Sequence, residues 1–233
     1  MFTKIVLDYK QNLFPELTKV TEFEDITKGR MGAVLVDIQN DLIPLVRTTT
    51  KYTNPAQKFN LFHYDIMEKI GIKFNNALIE VYDNQYCTMG FHSDQALDLE
   101  DGSYIGIYSC YENHLNQTNP RKLIIKNKTT NKISEITMDH NSVILFQLST
   151  NQQYLHKIIL ENNKSNQNNK WLGITFRLSK TFINPINNVL KLANEEESKN
   201  FYKLRSEENK SLNFQYPEIN YTISMSDLLP VIK

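Results

Sequence analysis

The residues whose types and spacing point most directly to chemistry are His92-Ser93-Asp94. On an extended segment positions i and i+2 face the same side, so one imidazole and one carboxylate project together. A second imidazole from elsewhere in the chain completes a two-histidine, one-carboxylate facial triad, the donor set that leaves adjacent positions open on a non-haem iron(II) ion. The pair alone says little, because His and Asp often sit together on solvated loops. Four other histidines could supply the third donor: His63 on a stretch of helical periodicity, His114 in a polar segment, His140 in the turn-like Asp139-His-Asn-Ser142, and His156 within Tyr154-Leu-His-Lys-Ile158. His156 shares its strand face with Tyr154 and Ile158, a setting that equally suits a packed core histidine.

The elements that must position these residues change period along the chain. Residues 1–40 alternate short apolar runs with polar stretches and read as strands or a short helix. Phe59, Phe62, Ile66, Met67 and Ile70 recur at helical spacing, which predicts an amphipathic helix from Phe59 to Ile70. Beyond Ala77 the period becomes two. The runs 77–82, 104–108, 122–126, 133–138, 142–146, 154–160 and 171–182 are short, rich in β-branched and aromatic residues, and separated by turn residues. Asn127–Lys132 reads as a hairpin connection. This pattern predicts a β-sandwich or jelly roll rather than a parallel sheet. Residues 161–170 are polar and of low complexity and read as a loop. Helices are expected at Asn188–Asn194 and Glu195–Asn209, in a C-terminal tail that packs on the outside of the sheet and carries no chemistry.

The chain has 233 residues, 40% of them hydrophobic and 22% charged, enough for one core. Lys plus Arg equals Asp plus Glu at 26 each, so the strongly cationic footprint of a nucleic-acid duplex binder is absent globally. Cys87 and Cys110 form no CxxC, and their expected role is that of buried thiols rather than a disulfide framework. No apolar run has the roughly 18–20 residues needed to span a bilayer. With Asp8 and Lys10 inside any signal-like core, an intracellular location is expected, with no membrane partner.

Three blocks together resemble the AlkB-like branch of the iron(II)/2-oxoglutarate-dependent dioxygenases. Gly90-Phe-His-Ser-Asp94 is similar to the family's HxD block. His140-Asn-Ser-Val-Ile-Leu-Phe146, running on through Ser149-Thr-Asn-Gln-Gln-Tyr-Leu-His156, is similar to the block that ends on its second histidine ligand. Trp171-Leu-Gly-Ile-Thr-Phe-Arg-Leu-Ser179 resembles its closing strand. Order and spacing fit over roughly the middle half of the chain. The resemblance implies a mainly β (α+β) double-stranded β-helix with flanking helices. It makes His92, Asp94 and His156 the catalytic metal ligands and iron(II), 2-oxoglutarate and O2 the cofactors. The implied reaction oxidises a C–H bond, by hydroxylation or oxidative N-demethylation, as 2-oxoglutarate decarboxylates to succinate. The resemblance also implies co-substrate contacts from Arg177, Ser179 and Tyr82. A guanidinium fork suits a carboxylate, and Thr175, Arg177 and Ser179 share a face if the strand continues.

Two departures stand out. The family's closing strand carries two arginines six apart, whereas Trp171 and Ile183 flank Arg177 at that interval. Glu80 stands where the family has an asparagine, and a carboxylate there repels those of 2-oxoglutarate. The expected organisation is an extension with substrate lid and support helix at 1–75, the catalytic core at 76–183 and the tail at 184–233. In the lid, Arg47, Lys51 and Tyr52 could grip a phosphate and stack a base, and a solvated turn with one packed tyrosine is the equal alternative. The substrate is then a methylated nucleic acid, a protein side chain or a small molecule. A non-catalytic jelly-roll binding module is the remaining alternative.

Overall fold

The structure, a computed structural model, describes residues 1–115, 119–161, 169–184, 186–187 and 190–232. The N-terminal third contributes strands β1 (Thr3–Val6), β2 (Glu24–Thr27), β3 (Arg30–Val36), β4 (Ile43–Pro44) and β5 (Gln57–Lys58), with helices α1 (Phe14–Lys19) and α2 (Leu61–Ile70). The middle carries β6 (Asn76–Tyr82), β7 (Tyr104–Tyr111), β8 (Lys122–Asn127), β9 (Ile133–Thr137), β10 (Ser142–Gln147), α3 (Leu148–Gln153), β11 (Tyr154–Ile159) and β12 (Trp171–Arg177). The chain ends with β13 (Phe182–Ile183), β14 (Lys191–Leu192), α4 (Glu195–Lys210) and β15 (Tyr221–Thr222).

Two sheets make the jelly roll. The larger has eight strands in the order β1-β10-β7-β12-β6-β3-β2, with β5 added beside β3. The smaller has the order β11-β8-β9. Apart from the short β3–β5 contact, every pairing in these sheets is antiparallel. Strands β1, β2 and β3 lie within the large sheet, so the expected N-terminal extension is built into the same layer as the core strands.

Alternation along the central strands separates two apolar layers. Ile79 and Val81 of β6, with Leu172, Ile174 and Phe176 of β12, face outward under Leu17 of α1 and Ile66 and Met67 of α2. Tyr82, Trp171, Ile105 and Ile107 face inward and meet Leu123, Ile125 and Ile158 of the smaller sheet. Both faces are covered, which is why all seven residues of β6 are buried. Helix α2 begins at Leu61, because Asn60 caps it in a box with His63. It ends at Gly71, whose φ of 73° is the left-handed conformation favoured at that position.

The structure corrects two boundaries. The run 171–182 is not one strand: β12 stops at Arg177, and the Ser179 hydroxyl accepts from the Thr181 N–H at 3.1 Å to turn the chain. The expected helix at 188–194 is also absent where it is described. Lys191–Leu192 pairs in parallel with Tyr221–Thr222, and residues 188 and 189 lie outside the described residues. Asn194 decides this start, since it caps α4 from an extended backbone by accepting from the Glu197 N–H at 2.9 Å. Of the expected loop at 161–170, residues 162–168 lie outside the described set. Among the described residues no helix is long and apolar enough to cross a membrane.

Candidate metal centre

The segment before Asp94 runs antiparallel to β11. The N–H of His92 donates to the carbonyl of His156 at 3.0 Å, and that of His156 returns the bond at 2.7 Å. This reciprocal pair makes the two histidines direct cross-strand neighbours on one face. Their ring centroids are 4.7 Å apart. Asp94, two residues on, joins the same side. Its Oδ1 lies 3.9 Å from His92 Nε2 and 3.6 Å from His156 Nε2. All three donor atoms fall within 4.8 Å of one another.

The surroundings tune each donor. His92 Nδ1 lies 3.0 Å from the Gly90 carbonyl, so it carries the proton and leaves Nε2 with its lone pair. Desolvation, and then the neighbouring His156, lower the His92 pKa to about 4, although one edge of the ring reaches solvent. Burial opposes ionisation of Asp94, but the Arg177 guanidinium and the two imidazoles outweigh it and hold the carboxyl well below the usual range. Arg177 Nε donates to Oδ2 at 2.7 Å, which leaves Oδ1 to face the imidazoles. His156 packs edge-on against Phe146, and its Nδ1 is buried with no hydrogen-bond partner among the described residues. Two imidazoles and one ionised carboxylate, with their donor atoms converging on one side, fit a divalent cation.

Helices hold the loop that carries two of the three donors. Asn151 of α3 bonds both backbone groups of Asp94, accepting from its N–H at 2.8 Å and donating to its carbonyl at 2.7 Å. From α4, Asn209 Oδ1 accepts from the Ser93 N–H at 3.0 Å, Arg205 donates to the Ser93 carbonyl at 2.6 Å, and Glu208 accepts from the Ala96 N–H at 2.7 Å. Sequence reading gave the tail no part in the chemistry. The structure makes α4 a brace for the donor loop, and Arg205 reaches the cavity wall.

The triad lies on the wall of a cavity of about 370 Å³. The inner faces of β6 and β12 line it through Glu80, Tyr82, Thr175 and Arg177, and the segment after β4 contributes Thr48, Thr49 and Thr50. Phe91 stands on the same wall with Lys157 Nζ 4.7 Å from its ring centroid. The other histidines are elsewhere. His63 is fully buried in the α2 cap, and His114 stacks on His140 at 4.3 Å.

Several expected contacts fall outside this cavity. Arg47 is buried at 4% exposure and grips Asp98 through both nitrogens, Nε at 3.1 Å and Nη2 at 2.7 Å. It also donates to the Ile219 and Tyr221 carbonyls, so it pins the tail to the segment after β4 and has no fork left for a phosphate. Tyr52 is 1% exposed, and its hydroxyl donates to Glu80 at 3.2 Å, so its ring is closed to a stacking base. Lys51 is exposed and is not among the lining residues. Ser179 points away, donating to the Leu45 carbonyl at 2.6 Å, because β12 has already ended. Tyr82 does line the cavity, but its hydroxyl donates to Glu80 at 2.5 Å.

No sequence motif marks Arg30 of β3. It lines the cavity and donates to Glu80 through Nε at 2.8 Å. Only its register against Tyr82 across β3 and β6 reveals it, and a single chain does not print that register.

No family model and no curated protein matches this sequence. Solved structures do match, among them one described as "The structure of OsALKBH1". It is 12% identical, over 64% of this chain and 78% of that chain, with a TM-score of 0.42.

Proposed function

We propose that this chain is an iron(II)- and 2-oxoglutarate-dependent dioxygenase that oxidises a C–H bond of a substrate held in the cavity. The observation that carries this reading is the meeting of His92 Nε2, Asp94 Oδ1 and His156 Nε2 within 4.8 Å of one another on the cavity wall. This donor set leaves adjacent positions open for a chelating keto acid and dioxygen. When bound, iron and the keto acid supply the oxidising chemistry, with 2-oxoglutarate ending as succinate and carbon dioxide.

The protein's own groups hold and exclude. Gly90 fixes the His92 tautomer, Arg177 keeps Asp94 anionic, and the covered inner faces of the two sheets limit water at the site. Loss of Arg47 and Tyr52 from the expected lid removes the residues that favoured a nucleobase. The substrate side of the proposal is therefore a C–H bond in a cavity lined by threonines, tyrosines and Phe91. Hydroxylation of a protein side chain or small molecule fits this lining, and oxidative N-demethylation needs base contacts from other residues.

The test is anaerobic titration of the protein with iron(II) and 2-oxoglutarate. A weak visible charge-transfer band is expected, and it disappears in His92→Ala and Asp94→Ala. Absence of the band in the unaltered protein rejects the catalytic reading and leaves the binding module. Succinate release without added substrate then separates turnover from chelation alone.

A further inference from the structure

The inner face of the large sheet contains a carboxylate-binding site that is already filled by a carboxylate of the chain itself. In register, Arg30 of β3 lies opposite Tyr82 of β6, Tyr82 opposite Trp171 of β12, and Trp171 opposite Tyr111 of β7. Directly opposed residues share a face, so these four side chains form one row across the sheet. Trp171 stands six residues before Arg177. Its indole donates to Ser109 Oγ at 2.7 Å and lies over Gly173, where an added Cβ would come within 2.0 Å of the ring. That position offers no cation to the cavity. Two strands along the same row, Arg30 does.

The groups around Arg30 are donors gathered on one acceptor. Arg30 bonds Glu80 through Nε and Nη2, Tyr82 donates to Oε2 at 2.5 Å, and Tyr52 donates to Oε1 at 3.2 Å. Burial, reinforced by Glu80, holds both phenols well above their usual range, so they remain donors. Burial opposes the charge on Arg30, but Glu80 outweighs it and the guanidinium stays cationic. One guanidinium fork and two phenols are the recognition set for a carboxylate. Arg30, Glu80 and Tyr82 line the same cavity as the metal donors.

We propose that Arg30, with Tyr82, is the anchor for the distal carboxylate of the keto-acid co-substrate, and that Glu80 is an internal carboxylate that competes for this anchor. The proposal rests on the dioxygenase reading above. The same donors serve either carboxylate, so exchange leaves no donor unpaired, whereas both carboxylates together crowd two anions onto one guanidinium. Removing the cation and removing the competitor therefore act in opposite directions on the same ligand.

The experiment measures binding by calorimetry and by the charge-transfer band, anaerobically with iron(II) present. The two ligands are 2-oxoglutarate and 2-oxopentanoate, which shares the keto-acid chelate and lacks the distal carboxylate. Arg30→Met is expected to weaken 2-oxoglutarate about 10- to 100-fold, the range for a charge-assisted bond, while 2-oxopentanoate and metal affinity hold. Glu80→Gln is expected to tighten 2-oxoglutarate and leave 2-oxopentanoate unchanged. The double variant Arg30→Met/Glu80→Gln leaves no buried charge unpaired and is expected to stay weak for 2-oxoglutarate, so misfolding of the single variant does not decide the case. A double variant that binds 2-oxoglutarate as tightly as Glu80→Gln alone, or weakening in Glu80→Gln, overturns the proposal. If metal binds but neither keto acid does, the dioxygenase reading itself fails. If 2-oxopentanoate binds and the Arg30 variants have no effect, only the anchor assignment falls.

Discussion

Arg177, the last residue of β12, places its Nε 2.7 Å from Oδ2 of Asp94, a loop residue 83 positions earlier. Both side chains are nearly inaccessible to solvent, at 8% and 5% exposure. The pair turns Oδ1 toward the imidazoles and keeps the carboxylate ionised. Arg177→Met is expected to weaken divalent-metal binding about 10- to 100-fold, as loss of a ligand's hydrogen-bond partner typically does. Arg177→Lys should retain part of it. Titration with cobalt(II) or nickel(II) reads both, and equal affinity in Arg177→Met and the unaltered chain would sever this link.

Arg47 and Asp98 form another deeply buried ion pair, and their role here is structural. Asp98→Ala should destabilise the fold by about 3–5 kcal/mol, because it strands a buried guanidinium. Replacing both by apolar residues, Arg47→Met with Asp98→Leu, should recover much of that loss. Urea unfolding measures the difference. A variant of Arg47 that kept full stability would reopen its expected role in gripping substrate.

Gly173 is predicted to tolerate no side chain, since the Trp171 ring covers its α-carbon. Gly173→Ala should cost about 1–3 kcal/mol through overpacking. Combining it with Trp171→Leu should relieve the clash, so a thermal-unfolding double-mutant cycle is expected to show strong coupling.

His63 makes stability depend on pH. Burial lowers its pKa from 6.5 to about 4, its Nδ1 accepts from the Asn60 N–H at 3.0 Å, and its Nε2 is buried without a partner among the described residues. Between these values the unfolded chain binds a proton that the folded chain refuses. The neutral ring's stabilisation is therefore complete above pH 6.5 and is lost as pH falls toward 4, with a full amplitude of about 3 kcal/mol. His63→Gln keeps an acceptor for the cap and removes the titration. Its urea-derived stability should fall less steeply than that of the unaltered chain over this window, and parallel slopes would contradict the assignment.

Local periodicity made much of the β architecture legible. The runs beginning at Ala77, Tyr104, Lys122, Ile133, Ser142 and Tyr154 are strands because alternating apolar residues at those positions can be buried only on a pleated surface. Tertiary bonds broke the pattern where the reading failed. Ser179 turns the chain after Arg177, and Asn194 sets the start of α4.

The sequence by itself determined the strand content, the two donors of His92-Ser-Asp94 on one face, and His156 on a strand, since each follows from spacing along a short stretch of backbone. Which histidine completed the set was decided by pairing between His92 and His156, a contact across 64 positions whose register no local pattern encodes. The same holds for the cavity. Arg47 and Tyr52 looked available because they are polar and lie near the lid, yet distant partners, Asp98 and Glu80, bury them. Arg30 looked incidental until three neighbouring strands placed it in the row of Tyr82 and Trp171. Proximity across a sheet is a property of register, and register is fixed by which side chains fit together in the folded core.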